Sequence, residues 1–222
     1  HASYRRQRQM CIRDRPYKTL RKILSDTKKR KDLRKKLKTL EIDKDNPLKG
    51  ILLIQMFEKS SLRTRLSFYL AIRQLGGSAL TLRPDELHLS KGGESLSDTA
   101  KILSTYGDIF VLRTDNEKKL NSFKKFLSIP LINGLSPNSH PAQILSDIFT
   151  IEEITKKNIS RLNICWIGDS NNVLNSLIEA SIKFSFKLNI GCPKNYNPSN
   201  EMLRIIRQKS SKIKIFNNPK VQ

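Results

Sequence analysis

The chain has 222 residues, 37% of them hydrophobic, and a formal net charge of +22, which suffices for one large folded domain or two small ones. It contains no run of 18 apolar residues, and its amino-terminal stretch lacks the apolar core of a secretion signal, so a membrane-spanning reading fails. Three scattered cysteines, Cys11, Cys165 and Cys192, match neither a disulfide framework nor a zinc site and fit a reducing cytoplasm.

Residues 1–16 are polar and arginine-rich without usable periodicity and read as a disordered or non-native leader. More than half of the charge excess precedes residue 50, where 18 Lys/Arg face 6 Asp/Glu. Such charge attracts polyanions, and a basic nucleic-acid-binding protein is the alternative from another functional class. The remaining charge is spread thinly, with no aromatic interleaving, zinc knuckle or helix-turn-helix pattern, so no nucleic-acid partner is expected. From Tyr17 to Leu40, apolar residues at three- and four-residue spacings predict one or two basic amphipathic helices, closed by Asn46-Pro47.

Strands and helices then alternate. Ile51–Phe57 reads as a strand, Ser61–Leu75 as a helix ended by Gly76-Gly77, and Ala79–Leu82 as a short strand. A polar, glycine-rich loop follows from Pro84 to Glu94, then a helix over Ser97–Tyr106 and a strand over Ile109–Leu112 that ends at Arg113. Glu117–Phe126 reads as a helix, and Pro130–Ile132 as a strand opening into Asn133-Gly134. His140-Pro141 starts the next helix, with proline tolerated in the first turn. A second unit begins near Ser160: strands over Leu162–Ile167, Lys187–Gly191 and Lys212–Phe216, with helices over Val173–Phe184 and Glu201–Gln208 between them. Three strands make a thin core for a parallel sheet, so this unit reads as unfinished. Cys165 and Trp166, inside its first strand, read as core.

The richest segment is Ser61-Leu62-Arg63-Thr64-Arg65, at the turn from a strand into a helix. Unpaired amides and the positive dipole end at a helix start attract anions, and arginine adds forked, charge-assisted hydrogen bonds suited to phosphate. The segment therefore predicts a substrate with a phosphoryl group. Arg63 and Arg65 lie about 200° apart around a helix, so Arg63, with Ser61 and Thr64, is the one expected at the anion. Arg113, beyond an apolar strand, extends a second guanidinium. His140, Gln143 and Asp147 share one helix side, where the histidine can donate to a carbonyl oxygen and Gln143 can accept from an amide. No metal is expected, because no second histidine lies near His140, and no cofactor, because Gly168-Asp169-Ser170-Asn171-Asn172 lacks the G-x-G-x-x-G spacing of a dinucleotide turn. Asn171 or Asn172 can present an amide there, and Glu94 sits on a loop able to reach a neighbouring subunit.

Taken together, Phe57-Glu58-Lys59-Ser60-Ser61-Leu62-Arg63-Thr64-Arg65, Gln74-Leu75-Gly76-Gly77, Asn133-Gly134-Leu135, His140-Pro141-Ala142-Gln143 and Gly168-Asp169-Ser170-Asn171-Asn172 resemble the aspartate/ornithine carbamoyltransferase family. The resemblance implies two α/β/α domains with parallel sheets: a carbamoyl-phosphate domain over 17–150 and a partial, truncated ornithine domain over 160–222. It implies that Ser61, Leu62, Arg63 and Thr64 bind the phosphate end of carbamoyl phosphate, that Arg113 and His140 polarise its carbonyl, and that Gln143 fixes its amine. Arg63, Arg113 and His140 would then be the catalytic set, with Asn172 on the amino-acid substrate. It also implies a homotrimer in which the Glu94 region forms an inter-subunit loop. The Asn133-Gly134-Leu135 opening and the Asn171-Asn172 turn resemble the branch that uses L-ornithine and makes L-citrulline; the aspartate-using branch of pyrimidine biosynthesis is the alternative. Leu62 stands where the family usually has threonine, removing one hydroxyl from the phosphate, and Lys91-Gly92-Gly93 is one residue longer than usual.

Overall fold

The computed structural model describes residues 12–86, 93 and 95–218, and its contacts divide them into two units. The first comprises Ser25–Ser136; the second comprises residues 12–24 together with 137–218.

In the first unit, four apolar segments pair in parallel in the order β2-β1-β3-β4. They are β1 (Leu52–Phe57), β2 (Ser78–Leu82), β3 (Ile109–Arg113) and β4 (Leu131–Leu135). Parallel strands need crossover connections, supplied here by α2 (Leu62–Gln74), α3 (Leu96–Tyr106) and α4 (Glu117–Phe126), while α1 (Tyr17–Leu33) precedes the sheet. On one face Ile54, Met56, Phe110 and Leu112 pack with Ala100 and Leu103 of α3 and Leu120 and Phe123 of α4. On the other, Leu53 and Val111 pack with Ile72 of α2. The sheet is thus covered on both sides, the arrangement that lets β1 and β3 be mostly apolar on both faces; the exception inside β1 is the buried Gln55, whose Nε2 donates to Thr81 Oγ1 at 2.8 Å.

The strand order reverses at β1. The chain leaves β1 toward β2 on one side and returns through α3 to β3 on the other. The crevice at such a switch point, outside the carboxyl ends of β1 and β3, is where open α/β sheets hold ligands. Phe57 and Arg113 are register partners at this end, so the loops that follow them begin side by side.

In the second unit β5 (Asn163–Ile167), β6 (Lys187–Gly191) and β7 (Ile213–Phe216) form a parallel sheet in that order. Its helices are α5 (Pro141–Thr155), α6 (Asn172–Phe184) and α7 (Asn200–Lys209). Helix α6 is the centre of the core, with eight buried residues including Leu174, Ile178 and Phe184. Leu188, Ile190, Ile144, Ile148, Met202 and Ile206 close around it.

Several expectations need revision. The 17–150 boundary of the sequence reading differs from the observed units, because Leu20, Leu24 and Ile12 are buried in the core of α5 and α6. Residues 12–16, read as part of a disordered leader, include a short 3-10 turn at Ile12–Asp14, and Ile12 is only 1% exposed; residues 1–11 lie outside the described residues. Helix α1 stops at Leu33 and passes into a 3-10 turn, well before Leu40. Strand β4 runs on through Asn133-Gly134-Leu135, because the register shifts there and β4 absorbs one extra residue opposite Leu112 and Arg113. Cys165 is exposed and Trp166 half-buried, because exposure alternates along the edge strand β5: Cys165 shares an uncovered face with Asn163 and Ile167, and Trp166 faces the core with Ile164.

Candidate active site

Strand β1 delivers the chain to Ser61, the residue before α2, whose φ of −154° and ψ of 86° turn the backbone out of the strand. The Ser61 side chain caps no amide of its own helix. Its Oγ instead accepts from Arg113 Nη1 at 3.0 Å. The first-turn N–H groups of Leu62, Arg63 and Thr64 have no intrahelical acceptor by helix geometry. A guanidinium from the end of β3 therefore converges on the positively polarised start of α2. Arg113 is half-buried, and its Nε is buried with no hydrogen-bond partner among the described residues. A buried guanidinium donor without an acceptor is costly and suits a site that receives an anion.

Arg63 and Arg65 are both exposed, and neither forms an ion pair with a described residue. Thr64 is half-buried. Leu62, in the first turn, is 67% exposed, so its apolar side chain stands in solvent beside the amides. The bulge at Gly134 lies against β3: a Cβ there would come within 3.2 Å of Val111 Cγ1 and 3.3 Å of the Leu112 carbonyl oxygen. A side chain at 134 would press on the strand that carries Arg113.

The remaining predicted residues belong to the second unit. His140 precedes α5, with Pro141 in the first helical position, and is 7% exposed. Its backbone N–H donates to the fully buried Ser176 Oγ on α6 at 2.8 Å, and Asn175 Nδ2 donates to the Asn138 carbonyl at 3.3 Å. Neighbouring side chains of α6 thus hold the segment that presents His140, a contact that sequence reasoning missed; its only signal was a pair of polar residues, Asn175-Ser176, on an apolar helix. One turn into α5, Gln143 Nε2 donates to Asp147 Oδ1 at 2.8 Å. A carboxylate accepts only, so this bond fixes the amide orientation and leaves Gln143 Oε1 as an acceptor for a donor such as an amine.

The two asparagines at the start of α6 differ. Asn171 is the cap, its Oδ1 accepting from Val173 N at 2.9 Å and Leu174 N at 3.1 Å. Asn172 is the first helical residue and half-buried. Gly168, before this turn, has a φ of 138°, a conformation side chains other than glycine rarely adopt. At the carboxyl end of β6, Cys192 is buried, and burial, followed by the charge of Asp169, pushes its thiol pKa up. Glu94 lies outside the described residues. Among the described residues, no group of three or more His, Cys, Asp or Glu side chains can hold a metal, and no helix is long and apolar enough to cross a membrane. A cavity of about 560 Å³ lined by Arg30, Arg34, Asp43 and Gln74 contains none of the predicted site residues.

This fold and this strand–helix turn define a class: α/β proteins with parallel sheets in which a helix start and a strand-end arginine meet at a sheet's switch point. The chain belongs to the aspartate/ornithine carbamoyltransferase family. Residues 9–153 match the family's carbamoyl-P binding domain, and residues 160–222 match its Asp/Orn binding domain. It is 40% identical over 200 residues to the ornithine carbamoyltransferase of Rhizorhabdus wittichii, covering 90% of this chain and 64% of that protein. Its structure is similar to that of ornithine carbamoyltransferase from Pyrococcus furiosus, with a TM-score of 0.86, 32% identity, and coverage of 96% of this chain and 67% of the other. The anabolic enzyme from Campylobacter jejuni gives a TM-score of 0.80 at 33% identity, covering 94% of this chain and 67% of that one. The chain therefore spans about two thirds of the length of the relatives it matches.

Proposed function

We propose that this chain carries the carbamoyl-phosphate site, and part of the amino-acid site, of an ornithine carbamoyltransferase. The observation that carries the reading is the convergence of Arg113 on Ser61 at the start of α2, at 3.0 Å. In this reading the phosphate end of carbamoyl phosphate meets the Ser61 and Thr64 hydroxyls, the first-turn amides and Arg63. Arg113 and His140 donate to the carbonyl oxygen, and Gln143 Oε1 accepts from the carbamoyl amine. Asn172 receives the backbone groups of L-ornithine. The neutral side-chain amine attacks the carbonyl carbon, a C–N bond forms, and the C–O bond to phosphate breaks. The attacking nitrogen gives up a proton to the departing phosphate, and citrulline and hydrogen phosphate result. The groups named supply positioning and stabilisation of the developing oxyanion, and no covalent enzyme intermediate is needed.

We also assign a cytoplasmic location, supported by cysteines scattered along the chain, with neither Cys165 nor Cys192 in a disulfide, and a homotrimeric assembly. Helix α2 supports the assembly: it buries only Ile72 and leaves Leu62, Leu66 and Tyr69 exposed. The reading is tested by calorimetry of the chain with carbamoyl phosphate, followed by L-ornithine or L-aspartate. Saturable carbamoyl-phosphate binding and a response to ornithine alone are expected. Absence of carbamoyl-phosphate binding overturns it, and a response to aspartate alone transfers the assignment to the other branch.

A further inference from the structure

Carbamoyl transfer asks for no acid near the phosphate, yet Glu58 lies three residues before Ser61. Its side chain is 13% exposed, and Lys119, which pairs with it, is 25% exposed. Each carboxylate oxygen has one partner: Oε1 accepts from Lys119 Nζ on α4, and Oε2 accepts from the hydroxyl of Thr114, which has no exposed surface. Thr114 Oγ1 in turn accepts from Asn116 N at 3.1 Å. The Glu58 backbone N–H donates to the Arg113 carbonyl at 3.0 Å. An exposed ion pair, Lys59 with Asp115 at 3.2 Å, spans the same two loops.

The loop entering α2 is therefore fastened to the end of β3 at Glu58 and again at Ser61, where Arg113 reaches across. A partly buried carboxylate beside an anion site repels the anion in a low-dielectric surrounding. The Lys119 ammonium cancels that charge locally and fixes the direction of the carboxylate. The residue then contributes rigidity without opposing the ligand.

We propose that Glu58 is a positioning residue: clamped by Thr114 and Lys119, it holds the 58–61 loop against the end of β3 so that Ser61 and the first-turn amides meet the phosphoryl group in a fixed geometry. The inference rests on the carbamoyl-phosphate reading of the cradle.

Calorimetric titration of carbamoyl phosphate and of inorganic phosphate into the full chain tests it, with thermal unfolding recorded for each variant. Removing a negative charge near an anion site should, on electrostatics alone, tighten binding. As a positioning residue, Glu58 behaves oppositely: Glu58→Ala weakens both ligands about tenfold. Glu58→Gln, which keeps the shape and the Thr114 contact, recovers most of that loss. Lys119→Met leaves the carboxylate uncompensated and weakens binding most at low salt, and the pair Glu58→Gln with Lys119→Met removes that salt-dependent part. Loss of stability alone reproduces neither the conservative rescue nor the salt signature. Wild-type binding with a Glu58→Ala variant that binds equally or more tightly overturns the positioning role. A wild-type chain that binds neither ligand overturns the cradle reading, and this inference with it.

Discussion

Leu62 and Arg113 set opposite limits on the cradle. Leu62 is 67% exposed in the first turn of α2, where a hydroxyl would add a donor for the phosphate. On the carbamoyl-phosphate reading, Leu62→Thr is expected to tighten binding by about 1.5–3 kcal/mol, the range for a hydrogen bond to a charged group, measured by calorimetry. Arg113→Ala removes the donor to Ser61 Oγ together with the buried Nε, and is expected to weaken binding at least about a hundredfold with little change in unfolding temperature. The cysteines differ in a way that mass spectrometry reads directly. Burial holds the Cys192 thiol pKa above its ordinary value, so at mildly alkaline pH its thiolate fraction is depressed, whereas Cys165 is exposed. Brief alkylation at that pH should label Cys165 and spare Cys192 until the protein unfolds.

At the scale of elements, hydrophobic periodicity makes most of the fold legible: α4 and β6 have the ends it predicts, and β1 and α3 differ by one residue. The misses have local causes. Asn133 and Gly134 have poor strand propensity, so β4 reads as stopping at Ile132, although Asn133 pairs with Leu112 and a bulge accommodates Gly134. Cys165 and Trp166 sit in an apolar run that looks like core, but sequence does not say which strand forms the edge of a sheet. Of the site, the Ser61–Thr64 turn and Arg113 were readable because a strand end and a helix start are local features. The Ser176 contact to His140 was not, since it joins residues 36 apart. Ser176→Ala is expected to lower stability by about 1–3 kcal/mol in denaturant titration, because the buried His140 N–H loses its acceptor.

Across the whole molecule, the +22 charge acts on an anionic ligand even where no side chain touches it. Raising ionic strength from about 0.01 M to about 0.15 M shortens the screening length from about 30 Å to about 8 Å. The association rate of carbamoyl phosphate, followed by stopped flow, should fall over that range while the dissociation rate changes much less. A ligand rate insensitive to salt would mean that the excess charge lies too far from the cradle to steer anything.

Residues 12–24 belong with 137–218, although more than a hundred residues separate them along the chain. Anyone dividing this protein for study at the 136/137 junction would produce a carboxyl-terminal fragment missing Ile12, Leu20 and Leu24 from its own interior. Such a fragment should regain order only when a peptide carrying residues 12–24 is supplied in trans, which makes this amino-terminal stretch a natural tag for split-protein reconstitution.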